Sequence, residues 1–159
     1  MSSSSGRIEK RISRSDMLLL LLYAPGPSGQ IGEPIRGKTR LQKELFLTQK
    51  NLRDAGIFTY YPFQPYKLGP YSKELYEDIE WMEYEGVLKT EKLDLGEYGI
   101  CAEFRITDKG RREIETKIQE QSLKKAFEIA TETKNRFNSL NVVELVRLTH
   151  ELYPDYVAT

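Results

Sequence analysis

The chain has 159 residues, enough for one ordinary domain with a substantial core. Its 24 Lys and Arg balance 24 Asp and Glu, so the net charge is zero. That excludes a uniformly basic nucleic-acid coat, and any phosphate contact has to use a local patch. One cysteine, Cys101, and one histidine, His150, exclude a disulfide framework and a thiolate- or imidazole-rich metal site.

In chain order, residues 1–14 read as a flexible basic arm, Ser/Gly-rich at first and then carrying Arg7, Lys10, Arg11 and Arg14. The apolar run 17–23 is far shorter than the roughly 20 residues a membrane span needs. Pro25-Gly26-Pro27 follows it where a signal peptide would have a small-residue cleavage site. The run therefore reads as a buried helix capped by Asp16, in a cytoplasmic protein without a membrane segment. Residues 25–37 form a Pro/Gly-rich loop. A helix is predicted from Thr39 to about residue 55, with Leu41, Leu45, Phe46 and Leu52 on one face. Thr39 and Gln42 have the spacing of a capping box, and Gly56 closes the helix. Residues 57–71 hold six aromatics and three prolines, which suggests a short strand and an ordered loop. Core packing explains those aromatics most simply. A binding surface is the alternative, with Tyr66 and Tyr71 beside Lys67 and Lys73.

Ser72 is placed to cap a third helix carrying Leu75, Ile79 and Met82 inward. Two strands, 87–95 and 100–107, flank Gly96-Glu97-Tyr98-Gly99 as a hairpin. One long charged helix is expected over 108–137, capped by Thr107 or Asp108, and a last one after Asn141. The order suggests an α+β, mainly helical chain: a winged helix-turn-helix with a two-stranded wing and added C-terminal helices. The expected division is an arm (1–14), a winged-helix domain (15–110) and C-terminal helices (111–159). Leu123, Phe127, Ala130 and Phe137 form a 4-3 stripe that suggests a homodimer interface, with intramolecular packing as the alternative.

Two motifs sharpen this expectation. Gly37-Lys38-Thr39-Arg40-Leu41-Gln42-Lys43 is followed by Leu68-Gly69-Pro70-Tyr71-Ser72-Lys73-Glu74-Leu75-Tyr76, and the chain ends near Tyr153-Pro154-Asp155-Tyr156. Together they resemble the signature of the YwgA-type winged-helix family and, more distantly, the SocA-like (Panacea) antitoxin domains. The resemblance covers about residues 16–156. It implies the winged-helix fold and no catalytic residues.

The zero total hides two blocks. Residues 36–53 carry six basic residues against Glu44, a net of +5, whereas residues 71–91 carry two basic residues against seven acids, a net of −5. The acidic block lies on the helix that would read DNA in a winged helix, where phosphates flank it on both sides. A nucleic-acid surface would therefore draw on Arg36, Lys38, Arg40, Lys43, Lys67, Tyr71, Lys73 and the wing residues Lys89, Lys92 and Arg105. The simpler account of the basic block is a solvated face, or one paired with the acidic helix.

Other motifs mislead. Residues 32–39 satisfy the phosphate-loop pattern G-x-x-x-x-G-K-[ST], but Pro34 lacks the N–H such a cradle needs and Glu33 adds a negative charge. Cys101 reads as a small strand residue and His150 as a surface or interface one. Neither has a partner for a catalytic dyad. The expectation is a non-enzymatic protein without metal or cofactor. The leading reading is a DNA-binding transcriptional regulator. The alternative is a protein-interaction module, antitoxin-like or adaptor-like, using Glu74, Glu77, Asp78 and Glu80.

Overall fold

The computed structural model describes residues 10–158. The elements are β1 (Lys10–Arg11), α1 (Arg14–Tyr23), β2 (Ile35–Arg36), α2 (Lys38–Asp54), β3 (Ile57–Phe58), β4 (Gln64–Tyr66), β5 (Gly69–Tyr71) and α3 (Glu74–Tyr84). They continue with β6 (Leu88–Asp94), β7 (Ile100–Ile106), α4 (Asp108–Lys117), α5 (Gln121–Phe137) and α6 (Val142–Leu152). The chain is α+β and mainly helical. No described helix is long and apolar enough to cross a membrane.

The main sheet is antiparallel in the order β2-β7-β6. The expected β6–β7 hairpin is present, in register from Leu88 opposite Ile106 to Asp94 opposite Ile100. A 3-10 turn at Gly96–Tyr98 joins the strands. Gly96 and Gly99 lie at φ +66° and +87°, where a side chain would be strained. Strand alternation sends Phe104 and Ile106 to the core and puts Glu103 and Arg105 on the opposite face.

The 17–23 run is helical as expected, and every one of those residues is buried. Its cap differs from expectation: the Ser13 hydroxyl accepts from the Asp16 amide. Of the expected flexible arm, residues 1–9 lie outside the description. Lys10 and Arg11 are not free but pair in parallel with Ile57 and Phe58. Arg14 opens α1, and its guanidinium is 2.9 Å from Asp78 on α3. Thr107 and Asn141 cap α4 and α6 as expected, accepting from Gly110 and Val143. The capping box at Thr39 does not form. Gly37 precedes α2 with no side-chain cap, because Gln42 is engaged elsewhere. Ser72 does not cap α3 either; its hydroxyl bonds the Glu74 carboxylate.

The helix expected over 108–137 is two. Glu120 takes an extended backbone (ψ 140°) between α4 and α5, and the chain turns so that α5 packs on α1 and α2. Leu123, Ala130 and Phe137 are thereby buried inside the chain, and Phe127 packs against the core with its ring 5.5 Å from Tyr23. The stripe read as a dimer interface is thus intramolecular core, since a side chain buried against its own α1 and α2 cannot also face a second copy. Nor does the core divide at residue 110: Ile114, Leu123 and Ala126 share one cluster with Met17, Leu45 and Leu75. A second cluster gathers around Phe46, whose ring meets Phe63, Tyr153 and Tyr156 edge-on at 4.8–5.1 Å. The C-terminal Tyr-Pro-Asp-Tyr segment therefore serves as packing. Val157 extends the contact by bridging to Tyr66.

Truncating a buried leucine destabilises a fold by about 2–5 kcal/mol. Leu123→Ala is expected to lower the unfolding free energy by an amount in that range, read by urea denaturation at several protein concentrations. A loss under about 0.5 kcal/mol, the usual limit for a surface site, would contradict the burial described here.

Candidate functional site

Helix α2 decides where the charges go. Eight consecutive residues, 41–48, are buried, so polar side chains enter the interior with the leucines. Two glutamines seven residues apart lie on one face and clip the aromatic segment. Gln42 donates to the Ser72 carbonyl and accepts from the Ser72 amide, both at 2.9 Å. Gln49 does the same to Tyr61, at 3.1 and 2.8 Å. These paired bonds satisfy buried backbone groups that no strand reaches.

The basic block is largely engaged within the fold. Lys43 is only 2% exposed and donates to the Pro70 carbonyl at 3.2 Å, so it is not a surface cation as expected. Arg36 bonds Glu103 at 2.7 Å, and Arg105 bonds the same buried carboxylate at 2.7 Å and Glu91 at 3.2 Å. Burial opposes ionisation of Glu103, but the two guanidiniums outweigh it and hold its carboxyl below the usual range. Arg40 donates to the Phe137 carbonyl at 2.8 Å. Lys50 stands over the rings of Phe46, Tyr153 and Tyr156 at 5.3–5.7 Å. Lys38 lies over the Tyr76 ring at 5.5 Å. With Lys67, Tyr66 and Tyr71 it lines a mostly apolar groove beside β4 and β5, where the two tyrosine rings stack 4.4 Å apart. Within the aromatic segment Tyr61 is core, as the packing reading expects, and Tyr66 is exposed. Lys73, Lys89 and Lys92 are exposed.

The acids of α3 separate into two sets. Asp78 is tied to Arg14, and Glu74 to the Ser72 hydroxyl. Glu77 and Glu80 are exposed, as is Glu83. Between them stand Trp81, 62% exposed, and Tyr84, 83% exposed, with rings stacked 5.6 Å apart. Positions 77, 80, 81 and 84 follow helical spacing on the face opposite Leu75, Ile79 and Met82. Sequence reasoning passed over both aromatics, although the chain's single tryptophan on the polar side of an amphipathic helix is a readable signal.

Cys101 is half-buried in β7, and His150 is half-buried in α6 with its Nε2 buried and without a hydrogen-bond partner among the described residues. Among the described residues no three His, Cys, Asp or Glu side chains are grouped to hold a metal ion. No protein-family model matches the chain, and no curated protein matches it.

Two titratable groups remain buried, Glu44 on α2 and Lys134 on α5. Neither oxygen of Glu44 has a hydrogen-bond partner, and its side chain faces Lys134, Arg40 and Glu33. Burial drives its carboxyl up from 4.5 to about 8, against the pull of Lys134 and Arg40. Lys134 donates to the Leu22 and Ala24 carbonyls at the end of α1, at 3.0 and 2.8 Å, and burial lowers it from 10.5 to about 8. Folding therefore retains a proton on Glu44 that the unfolded chain releases. That contribution is complete below about pH 4.5 and is lost as pH rises through about 8. Lys134 acts in the opposite sense at higher pH, adding stability from about 8 towards 10.5. Glu44→Gln is expected to flatten the fall in thermal midpoint between about pH 5 and 8. An unchanged slope in the variant would contradict the buried, proton-bearing Glu44.

Proposed function

We propose that the protein is a non-enzymatic interaction module of winged-helix type, whose third helix captures a lysine- or arginine-rich segment of another protein. The fold assignment is supported by the order α1-β2-α2-α3-β6-β7, with β2 beside β7 at the edge of the β6–β7 hairpin. In that arrangement β6–β7 is the wing and α3 holds the recognition position. The resemblance to the YwgA-type family and, more distantly, to SocA-like domains points the same way.

The function rests on one observation, the outward stripe Glu77, Glu80, Trp81 and Tyr84. Phosphate is repelled by such a face. A guanidinium or ammonium is attracted twice, by the carboxylates and by the faces of the indole and phenol rings. Solvation explains exposed glutamates on a helix, and Glu74 and Glu77 also suit the positive end of the α3 dipole. Neither explains a tryptophan and a tyrosine left in water among those glutamates.

The DNA-binding reading keeps one favourable observation. Lys67, Lys73, Lys89 and Lys92 are exposed, and among the described residues none has an ion-pair partner. It loses Lys43 to the interior, and Arg36 and Arg105 to Glu103.

An oligoarginine peptide is expected to bind the full chain, and Trp81→Ala combined with Glu77→Gln and Glu80→Gln to weaken it by about tenfold or more. All three positions are exposed, so folding is preserved. Equal peptide affinity for the variant and the natural chain would contradict the proposal. A random-sequence duplex, titrated by anisotropy at about 50 and about 200 mM salt, is expected to bind weakly at both. Tight binding that collapses with salt would favour the DNA-binding reading instead.

A further inference from the structure

A second surface lies apart from the outward stripe of α3. The loop after α1, β2, the first turn of α2 and the edge of β7 enclose a cleft of about 1020 Å³. Arg36, Lys38, Arg40, Arg105 and Arg111 line it, and Glu33 is the single acid on its wall. With Glu103 beneath Arg36 and Arg105, five cations meet two carboxylates, a net of +3.

The arginines differ in how they are held. Arg36 and Arg105 share the Glu103 carboxylate. Neutral carbonyls anchor the other two: Arg40 donates to Phe137 at 2.8 Å, and Arg111 to Ile31 at 3.0 Å. Arg111 lies so close to Gly32 that a Cβ there would sit 2.5 Å from its Nη2. Each guanidinium carries five N–H donors, and one anchoring bond leaves most of them for a ligand. Two guanidiniums fixed by the backbone, with charges unpaired, are preorganised for bidentate oxyanion contacts. Lys38 also lines this wall at the start of α2, but its ammonium lies over the Tyr76 ring at 5.5 Å. Glu33 is turned into its own loop, where the Ser28 amide and the Asn138 side-chain amide bond its carboxylate.

We infer that this cleft binds a phosphorylated small molecule, with Arg40 and Arg111 holding its phosphate oxygens. The phosphate-loop pattern over residues 32–39 falls on the same wall, but it does not act as a backbone cradle. Pro34 has no amide hydrogen, and the Gly37 amide already donates to the Ala102 carbonyl at 2.7 Å. Side chains bind the anion here, and the inference concerns binding alone.

Calorimetric titration of the full chain with inorganic pyrophosphate, at ionic strength held constant with sodium chloride, tests this. Saturable binding is expected, weakened about tenfold or more by Arg111→Gln and by Arg40→Gln, and unchanged by Lys124→Gln on the exposed side of α5. Absence of saturable heat up to about 10 mM pyrophosphate would overturn the inference. So would an equal loss in Lys124→Gln, which would mark general charge attraction. Should Arg111→Gln fail to fold, amide shift changes in the natural chain decide the point. Changes confined to residues 31–41, the part of α4 around Arg111 and the neighbouring edge of β7 support the cleft, and changes spread over α3 or β6 overturn it.

Discussion

The burial of α2 on nearly all sides is the constraint on which the rest of the structure depends. A helix carrying Gln42, Lys43, Glu44 and Thr48 among its leucines and Phe46 cannot leave these polar groups without partners in the interior. Each is met differently. Gln42 borrows the backbone of Ser72, Lys43 the carbonyl of Pro70, and Thr48 the carbonyl of Glu44 one turn back. Glu44 finds no donor and keeps its proton instead. These choices also fix the neighbours, because the same glutamine bonds hold the proline-rich aromatic segment in place. They seat α3 as well: Ser72 is clamped to Gln42 two residues before the helix begins.

Charge at the surface follows from this interior. A block that is strongly basic in sequence is largely tied to the fold, although only Lys43 is buried: one lysine donates to a carbonyl, one stands over an aromatic cluster, and two arginines are held by a buried glutamate or a helix end. The acidic block stays outside, because α3 is amphipathic and only Leu75, Ile79 and Met82 are needed inward. The outward charge balance on α3 is therefore negative, although the whole chain is neutral. Aromatic rings among those acids make a surface suited to cations, while Arg40 and Arg111, each held by a carbonyl, line the separate cleft by the start of α2.

Much of this architecture is legible in the residue pattern. The all-apolar run of α1, the glycines around the β6–β7 turn and the caps at Thr107 and Asn141 are local signals, and local physics places them correctly. The break between α4 and α5 is not local. No glycine or proline marks residues 118–120, and the turn there is set by the apolar faces of two helices closing on α1. The dimer-like stripe is ambiguous for the same reason, since a 4-3 spacing says that a face is covered and not by what. The candidate site was half visible: the charge blocks could be counted, but the pairing of Arg36 and Arg105 on Glu103 depends on strand register. Arg111 enters the cleft only because α4 folds back beside the loop at Ile31. The spacing of Gln42 and Gln49 on an apolar helix face was a usable signal for a clamp.

Trp81 is the only tryptophan in the chain and stands on the surface in question, so its emission reports on that surface alone. The most direct test is to follow that emission while the full chain is titrated in parallel with an oligoarginine peptide and with duplex DNA. The account predicts a saturable change with the peptide and none with the duplex. A saturable, salt-sensitive change with the duplex, and none with the peptide, would contradict it.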